Sequence, residues 1–238
     1  MNNSVGNTAR LLGAGLRALL VLTVVCGVLY PLAVTGIAQA LFNDKANGSE
    51  IKDKSGNVVG SSLIGQTYNL PKKDPNDPEE AAKPDLKWFQ PRPSNGLGGN
   101  SVNTRYSLIL SGATNRSADN GAVNGRCTGA AEEGTLCAQV VAAKEAVVAD
   151  NSTAGYTVKP EDVPADAVTS SGSGLDPNIS PEYAELQVHR VAERNGLDVK
   201  QVEKLVADHT TGRTLGFMGE PRVNVLELNT ALKALNKS

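Results

Sequence analysis

Between Ala18 and Phe42 the chain reads ALLVLTVVCGVLYPLAVTGIAQALF, 25 residues without a charge. As a helix this run extends roughly 37 Å at about 1.5 Å per residue, enough to cross a hydrocarbon core of about 30 Å with some tilt. A backbone facing lipid has to satisfy its own hydrogen bonds, so a helix is predicted. Pro31 removes one of those bonds and predicts a kink near Tyr30-Pro31. Arg10 and Arg17 precede the run, and no Asp or Glu occurs before Asp44. That asymmetry predicts a cytoplasmic N-terminus and a body outside the cytoplasm. Ala38-Gln39-Ala40 also fits a signal-peptidase site, which leaves a cleaved signal peptide as the rival reading. A signal h-region spans about 7–15 residues, so the longer run favours a retained anchor. Both readings place residues 43–238 outside.

The expected organisation is a cytoplasmic N-terminus over 1–17, a transmembrane anchor over 18–42 and one extracytoplasmic domain over 43–238. The expected fold class is α+β, one transmembrane helix followed by a mixed helix and strand domain. The chain has 23 Lys and Arg against 25 Asp and Glu. With Arg10 and Arg17 ahead of the anchor, the outer part carries a net charge of about −4. It lacks the basic footprint of a nucleic-acid binder. Aromatic residues make up 4% of the chain, too few for base-stacking platforms. Cys26 lies in the anchor, whereas Cys127 and Cys137 share a polar outer segment ten positions apart. In an oxidising compartment that pair predicts a disulfide closing an insertion loop, two unpaired thiols being the alternative.

Along the outer part, Glu50–Lys52 and Val58–Ile64 suggest a hairpin around Ser55-Gly56-Asn57. PKKDPNDPEEAAKP, from Pro71 to Pro84, reads as a solvated loop. Trp88 is expected to fill the core beside the irregular stretch Gln90-Pro91-Arg92-Pro93-Ser94. The Gly-rich segment Asn95–Asn100 lacks a Gly-Lys-Ser/Thr ending and reads as a flexible connection. Ala138–Asp150 has helical spacing through Val140, Val141, Lys144, Val147 and Val148. Val163–Thr169 reads as an edge strand. Ser180 suits an N-cap with Pro181 behind it, and Gly196 ends that helix. Asp198 caps the next helix, whose apolar face is Val199, Val202, Leu205 and Val206. A final helix starts near Asn224, with Glu227 in capping-box position.

No self-contained active site is legible. His189 and His209 have no partners at ligand-like spacing and read as surface residues on helices. Ser173 has a serine two positions before it, so Ser171-Gly172-Ser173-Gly174 is not a nucleophile elbow. Asp176 precedes a proline, a common turn arrangement. The helix pair around Asn195-Gly196-Leu197-Asp198 is too acidic in its second member for a DNA-reading motif.

Several ordered stretches carry a resemblance. They are Gly27-Val28-Leu29-Tyr30-Pro31-Leu32, Ala46-Asn47-Gly48-Ser49, Gly60-Ser61-Ser62-Leu63-Ile64-Gly65-Gln66 and Trp88-Phe89-Gln90-Pro91-Arg92-Pro93-Ser94. Ser111-Gly112-Ala113-Thr114-Asn115, Val163-Pro164 with Val168 through Pro181, and Val223-Asn224-Val225-Leu226-Glu227-Leu228-Asn229 follow. Together they resemble the C subunit of the bacterial potassium-transporting P-type ATPase, the Kdp complex. The Cys127–Cys137 loop is a departure from that family's pattern. The resemblance implies a single-pass, non-catalytic accessory subunit of an ATP-driven potassium uptake pump, assembling with a channel-like potassium-translocating subunit and an ATPase subunit. ATP, magnesium and potassium then act on the partner subunits, and this chain holds no cofactor or metal of its own. The pumps' Asp-Lys-Thr-Gly-Thr phosphorylation motif is absent here. The family also brings a nucleotide-related role to the position of Gln187; an extracytoplasmic domain cannot meet cytoplasmic ATP, which favours an ordinary glutamine on the helix surface. A membrane-anchored envelope binding protein, or a hydrolase using Asp176 and the nearby serines, is the alternative.

Overall fold

The apolar run is the second half of a longer helix. In the computed structural model, which describes residues 3–74, 77, 80–94, 97, 111–112, 121–122, 127–128 and 134–236, α1 covers Asn3–Val24 and α2 covers Tyr30–Leu41. A single π-helical turn, Val25–Leu29, joins them without a break. Its position follows from Pro31. The pyrrolidine ring crowds the carbonyl four residues back, and widening the preceding turn relieves that contact. The Tyr30 N–H accordingly reaches the Val25 carbonyl, five residues back. Val5–Leu41, 37 residues, is the helix among the described residues long and apolar enough to cross a membrane. A short helix α3, Asn43–Ala46, follows, and the chain turns at Gly48 (φ 91°) and Ser49 (φ 52°). Residues Met1–Ser49 form one compact unit and Glu50–Ser238 a second.

The second unit opens with an antiparallel hairpin of β1 (Glu50–Lys52) and β2 (Val58–Ser61). Its turn is held by the Asp53 carboxylate, which accepts from the Ser55 and Asn57 N–H groups. Helix α4 (Leu136–Asn151) is capped by Thr135. A 3-10 turn, Pro160–Asp162, and a short helix α5, Ala165–Val168, precede β3 (Asn178–Ile179). Helices α6 (Pro181–Asn195) and α7 (Val199–Asp208) come next, then β4 (Thr210–Thr211), β5 (Arg222–Asn224) and α8 (Val225–Leu235). The second sheet is antiparallel in the order β3-β5-β4. The protein is thus a mixed helix and strand chain with one N-terminal apolar helix.

Helix α6 is central. It buries Ala184, Val188 and Val191 against Val202 and Val206 of α7 and Leu228 and Leu232 of α8, with Phe89, Ile179 and Val223 in the same cluster. Its start is set by Ser180, whose hydroxyl accepts from the Tyr183 N–H, and its end by Gly196 at φ 64°. One expected element is different. Val163–Thr169 is not an edge strand, because Ala165–Val168 forms the helical turn α5. Pro164 holds an extended entry, the Thr169 hydroxyl bonds the Ala165 carbonyl across the turn, and Asp166 is drawn to the start of α6. Most of the expected flexible connection over 95–100, and most of the expected insertion over 101–137, lie outside the described residues; Leu97, which is described, is buried. The described part of that insertion includes Cys127, which is bonded to Cys137 with Cα atoms 4.7 Å apart.

Candidate functional site: the polar groups beneath the Trp-Phe-Gln loop

Prolines at 84, 91 and 93 keep residues 84–94 out of helix and sheet, yet Phe89 is fully buried. The backbone polar groups of such a loop need partners from elsewhere. Helices α6 and α8 provide them through side chains. The Gln187 Oε1 accepts the Gln90 N–H at 2.7 Å, and its Nε2 donates to the Gln90 carbonyl at 3.2 Å. Asn229 makes the same two-way clasp on Phe89, both bonds at 2.9 Å. Asn195 Nδ2 donates to the Lys87 carbonyl at 2.8 Å. Gln90 turns its own Nε2 to the carbonyls of Asp85 (2.9 Å) and Tyr68 (3.2 Å).

Arg190 ties these clasps together. Its Nε donates to Asn151 Oδ1 at 2.8 Å, its Nη1 to the carbonyls of Leu86 and of Trp88 (3.0 Å), and its Nη2 to Gln187 Oε1 at 2.7 Å. The guanidinium fork thereby links α4, α6 and the loop. Burial holds its pKa down, to about 10, which still leaves it charged near neutrality.

A second cluster joins the end of this loop to the Ser-Gly-rich segment. Arg92 pairs with Asp176 at 3.1 Å and also donates to the Thr169 carbonyl at 3.3 Å. The Ser171 N–H donates to the Pro93 carbonyl at 2.8 Å. The other Asp176 oxygen accepts from the Asn178 N–H at 2.9 Å. Ser171 and Ser173 share a hydrogen bond at 3.0 Å, and each hydroxyl accepts one backbone N–H further along the loop. Gly65 N–H bonds the Leu175 carbonyl at 2.9 Å, and a Cβ at Gly65 would lie 2.6 Å from the Asp176 carbonyl oxygen.

The residues singled out from sequence are therefore not gathered into one site. No hydrogen bond joins Ser173, Asp176 and His189 among the described residues. His189 is partly buried rather than a plain surface residue, its ring stacked on Tyr156 with centroids 3.9 Å apart. His209, also partly buried, ends α7 and places Nδ1 2.8 Å from the Leu205 carbonyl. Gln187 differs from its expected place. It is fully buried, not on the helix surface, because Arg190 and Gln90 satisfy its amide and remove the cost of burying it. Arg190, Asn151 and Asn229 were not legible as a set. The available signal was polar residues inside an apolar stripe, Gln187 beside Val188 and Asn229 beside Leu228.

The loop, the Ser-Gly-rich segment and the start of α8 also carry three of the matching sequence stretches. The family model described as "K+-transporting ATPase, c chain", KdpC, matches residues 12–234. The chain belongs to the KdpC family. Among relatives, it is 71% identical over 235 residues to the potassium-transporting ATPase KdpC subunit of Streptomyces avermitilis, covering 99% of this chain and 98% of that one. The KdpC subunit of Citrifermentans bemidjiense is 41% identical over 210 residues, 88% of this chain and 90% of the other. That of Mycobacterium tuberculosis is 39% identical over 224 residues, 92% and 96% respectively. The protein is thus a subunit of the potassium-transporting ATPase type, membrane-associated through one candidate spanning helix. In this KdpC-family chain, Gln187, Arg190, Asn229, Arg92 and Asp176 hold loops in place.

Proposed function

We propose that the chain is a non-catalytic accessory subunit of an ATP-driven potassium uptake pump, which assembles and stabilises the complex of a channel-like potassium-translocating subunit with an ATPase subunit. Its N-terminus is cytoplasmic, α1–α2 cross the membrane, and residues 43–238 lie outside. ATP, magnesium and potassium act on the partner subunits. The observation that carries the reading is the use made of the polar side chains. Ser173, Asp176 and Gln187 each have their oxygens occupied by fixed partners within the fold. A hydrolytic nucleophile needs a base within hydrogen-bond reach, and Ser173 is bonded to another serine and a backbone N–H instead. In the span, the absence of Asp, Glu, Lys, Arg and His from Ala18 to Phe42 argues against relaying ions through a charged side chain, while Gly27, Ala33, Gly36 and Ala38 suit close packing against other membrane helices.

The test is the whole pump, purified with the other subunits and assayed for potassium-stimulated ATP hydrolysis. Ser173→Ala and His189→Ala leave turnover per assembled complex unchanged, and truncation after Phe42 diminishes assembly or transport. Abolished turnover in a fully assembled Ser173→Ala or His189→Ala complex would falsify the non-catalytic reading.

A further inference from the structure

The connection between β4 and β5 has a built apex. Thr214 and Met218 exchange backbone hydrogen bonds of 2.9 and 3.0 Å, and the Gly216 N–H reaches the Arg213 carbonyl at 3.0 Å. Below them an Arg213–Glu220 ion pair of 2.6 Å closes the neck. Gly216 and Gly219 take positive φ values of 80° and 79°, and Leu215 takes 55°, a region that L side chains rarely occupy. This backbone holds three large apolar side chains outward. Leu215 is 78% exposed, Phe217 71% and Met218 48%. Elsewhere among the described residues of the second unit, exposed large apolar side chains stand singly, which is ordinary for a protein surface.

We propose that this apex is a peg that seats in an apolar pocket on another protein subunit of the same potassium-transporting ATPase. The inference rests on the accessory-subunit reading above. Two observations choose the occupant. The first is size. Three side chains of this kind offer on the order of 400 Å², about half of the roughly 800 Å² per partner that a self-sufficient interface buries. The contact therefore suits a partner held alongside by further contacts, as in a multi-subunit membrane complex, and is too small to hold a second copy of this chain. The second is charge. A loop that inserts in lipid surrounds its apolar tip with free cations that meet anionic headgroups. Here Arg213 is neutralised by Glu220, and the outer part carries a net charge of about −4. An uncharged apex on a neck whose Arg213 is paired, with Arg222 the exposed cation at its base, fits an apolar protein pocket better than an anionic bilayer surface.

The experiment places photo-reactive benzoylphenylalanine at position 217 of the full-length chain, expressed with the other pump subunits in native membranes. The control places it at Glu203, exposed on α7. Both positions are on the surface, so folding is not at issue. On illumination, position 217 gives an adduct with another pump subunit roughly tenfold more abundant than position 203 does, as for a side chain at the centre of a contact. An adduct with lipid alone, or none above the control, overturns the peg. Co-purification of the subunits without that adduct removes the peg and leaves the accessory-subunit reading standing. Failure of the subunits to co-purify at all removes both.

Discussion

Replacing Gln187 by alanine tests whether its amide is structural. The change removes the partner of three groups at once: the partly buried Gln90 N–H and carbonyl, and one buried N–H of Arg190. A buried polar group left without its partner costs about 1–3 kcal/mol. Water entering the vacated space satisfies some of these groups and offsets part of the loss. The net expectation is a destabilisation of about 4 kcal/mol, large for a single substitution. For a folded unit of this size, about 2–4 °C of melting temperature is lost per kcal/mol, so the transition falls by roughly 8–16 °C. The assay is a thermal melt of the full-length chain in detergent, followed by far-UV circular dichroism. A nucleotide-contact role makes a different forecast, lost nucleotide affinity with an unmoved melt. A Gln187→Ala protein melting within about 2 °C of the parent would refute the structural account.

Gly65→Ala drives a methyl group against the Asp176 carbonyl, a backbone atom that cannot step aside, and should cost about 1–3 kcal/mol on the same melt; an unchanged transition would show that the two segments do not approach so closely. Thiol labelling of unfolded, unreduced protein should modify Cys26 alone, and three labelled cysteines would disprove the Cys127–Cys137 bond. Burial pushes the Tyr183 phenol up to about 12 from an ordinary 10. Its contribution is then fully present below pH 10 and lost as pH rises through about 12, because the unfolded chain releases that proton first. Tyr183→Phe should flatten part of the fall in melting temperature above pH 10, and an identical pH profile in the variant would contradict this.

The helix ends were legible because their causes are local. Ser180 and Asp198 lie one residue before the helices they cap, and Gly196 sits where a left-handed residue is required. Asn224 does cap α8, accepting from the Leu226 and Glu227 N–H groups. The reciprocal half expected from Glu227 is not made, since Asn224 belongs to β5 and pairs with Asn178. What local pattern could not reveal was the partners of the 84–94 loop. Gln187 lies 97 positions from Gln90, and Asn229 lies 140 from Phe89. A glutamine on a helix looks solvated until the loop that needs it is known. Val163–Thr169 failed for the same reason, since no strand among the described residues lies beside it to pair with.

The π-helical turn at Val25–Leu29 has a consequence for how the span is oriented. Proline supplies no amide hydrogen, so the wall of the helix just before Pro31 is one donor short inside a solvent that offers none. Over Ala18–Phe42 most other directions are apolar and content against hydrocarbon. This one is not, and a hydroxyl, an amide or a water on a neighbouring helix removes the deficit. A uniformly apolar helix can spin about its axis without penalty; this one carries a compass needle, and the needle points at whichever neighbour brings the hydrogen.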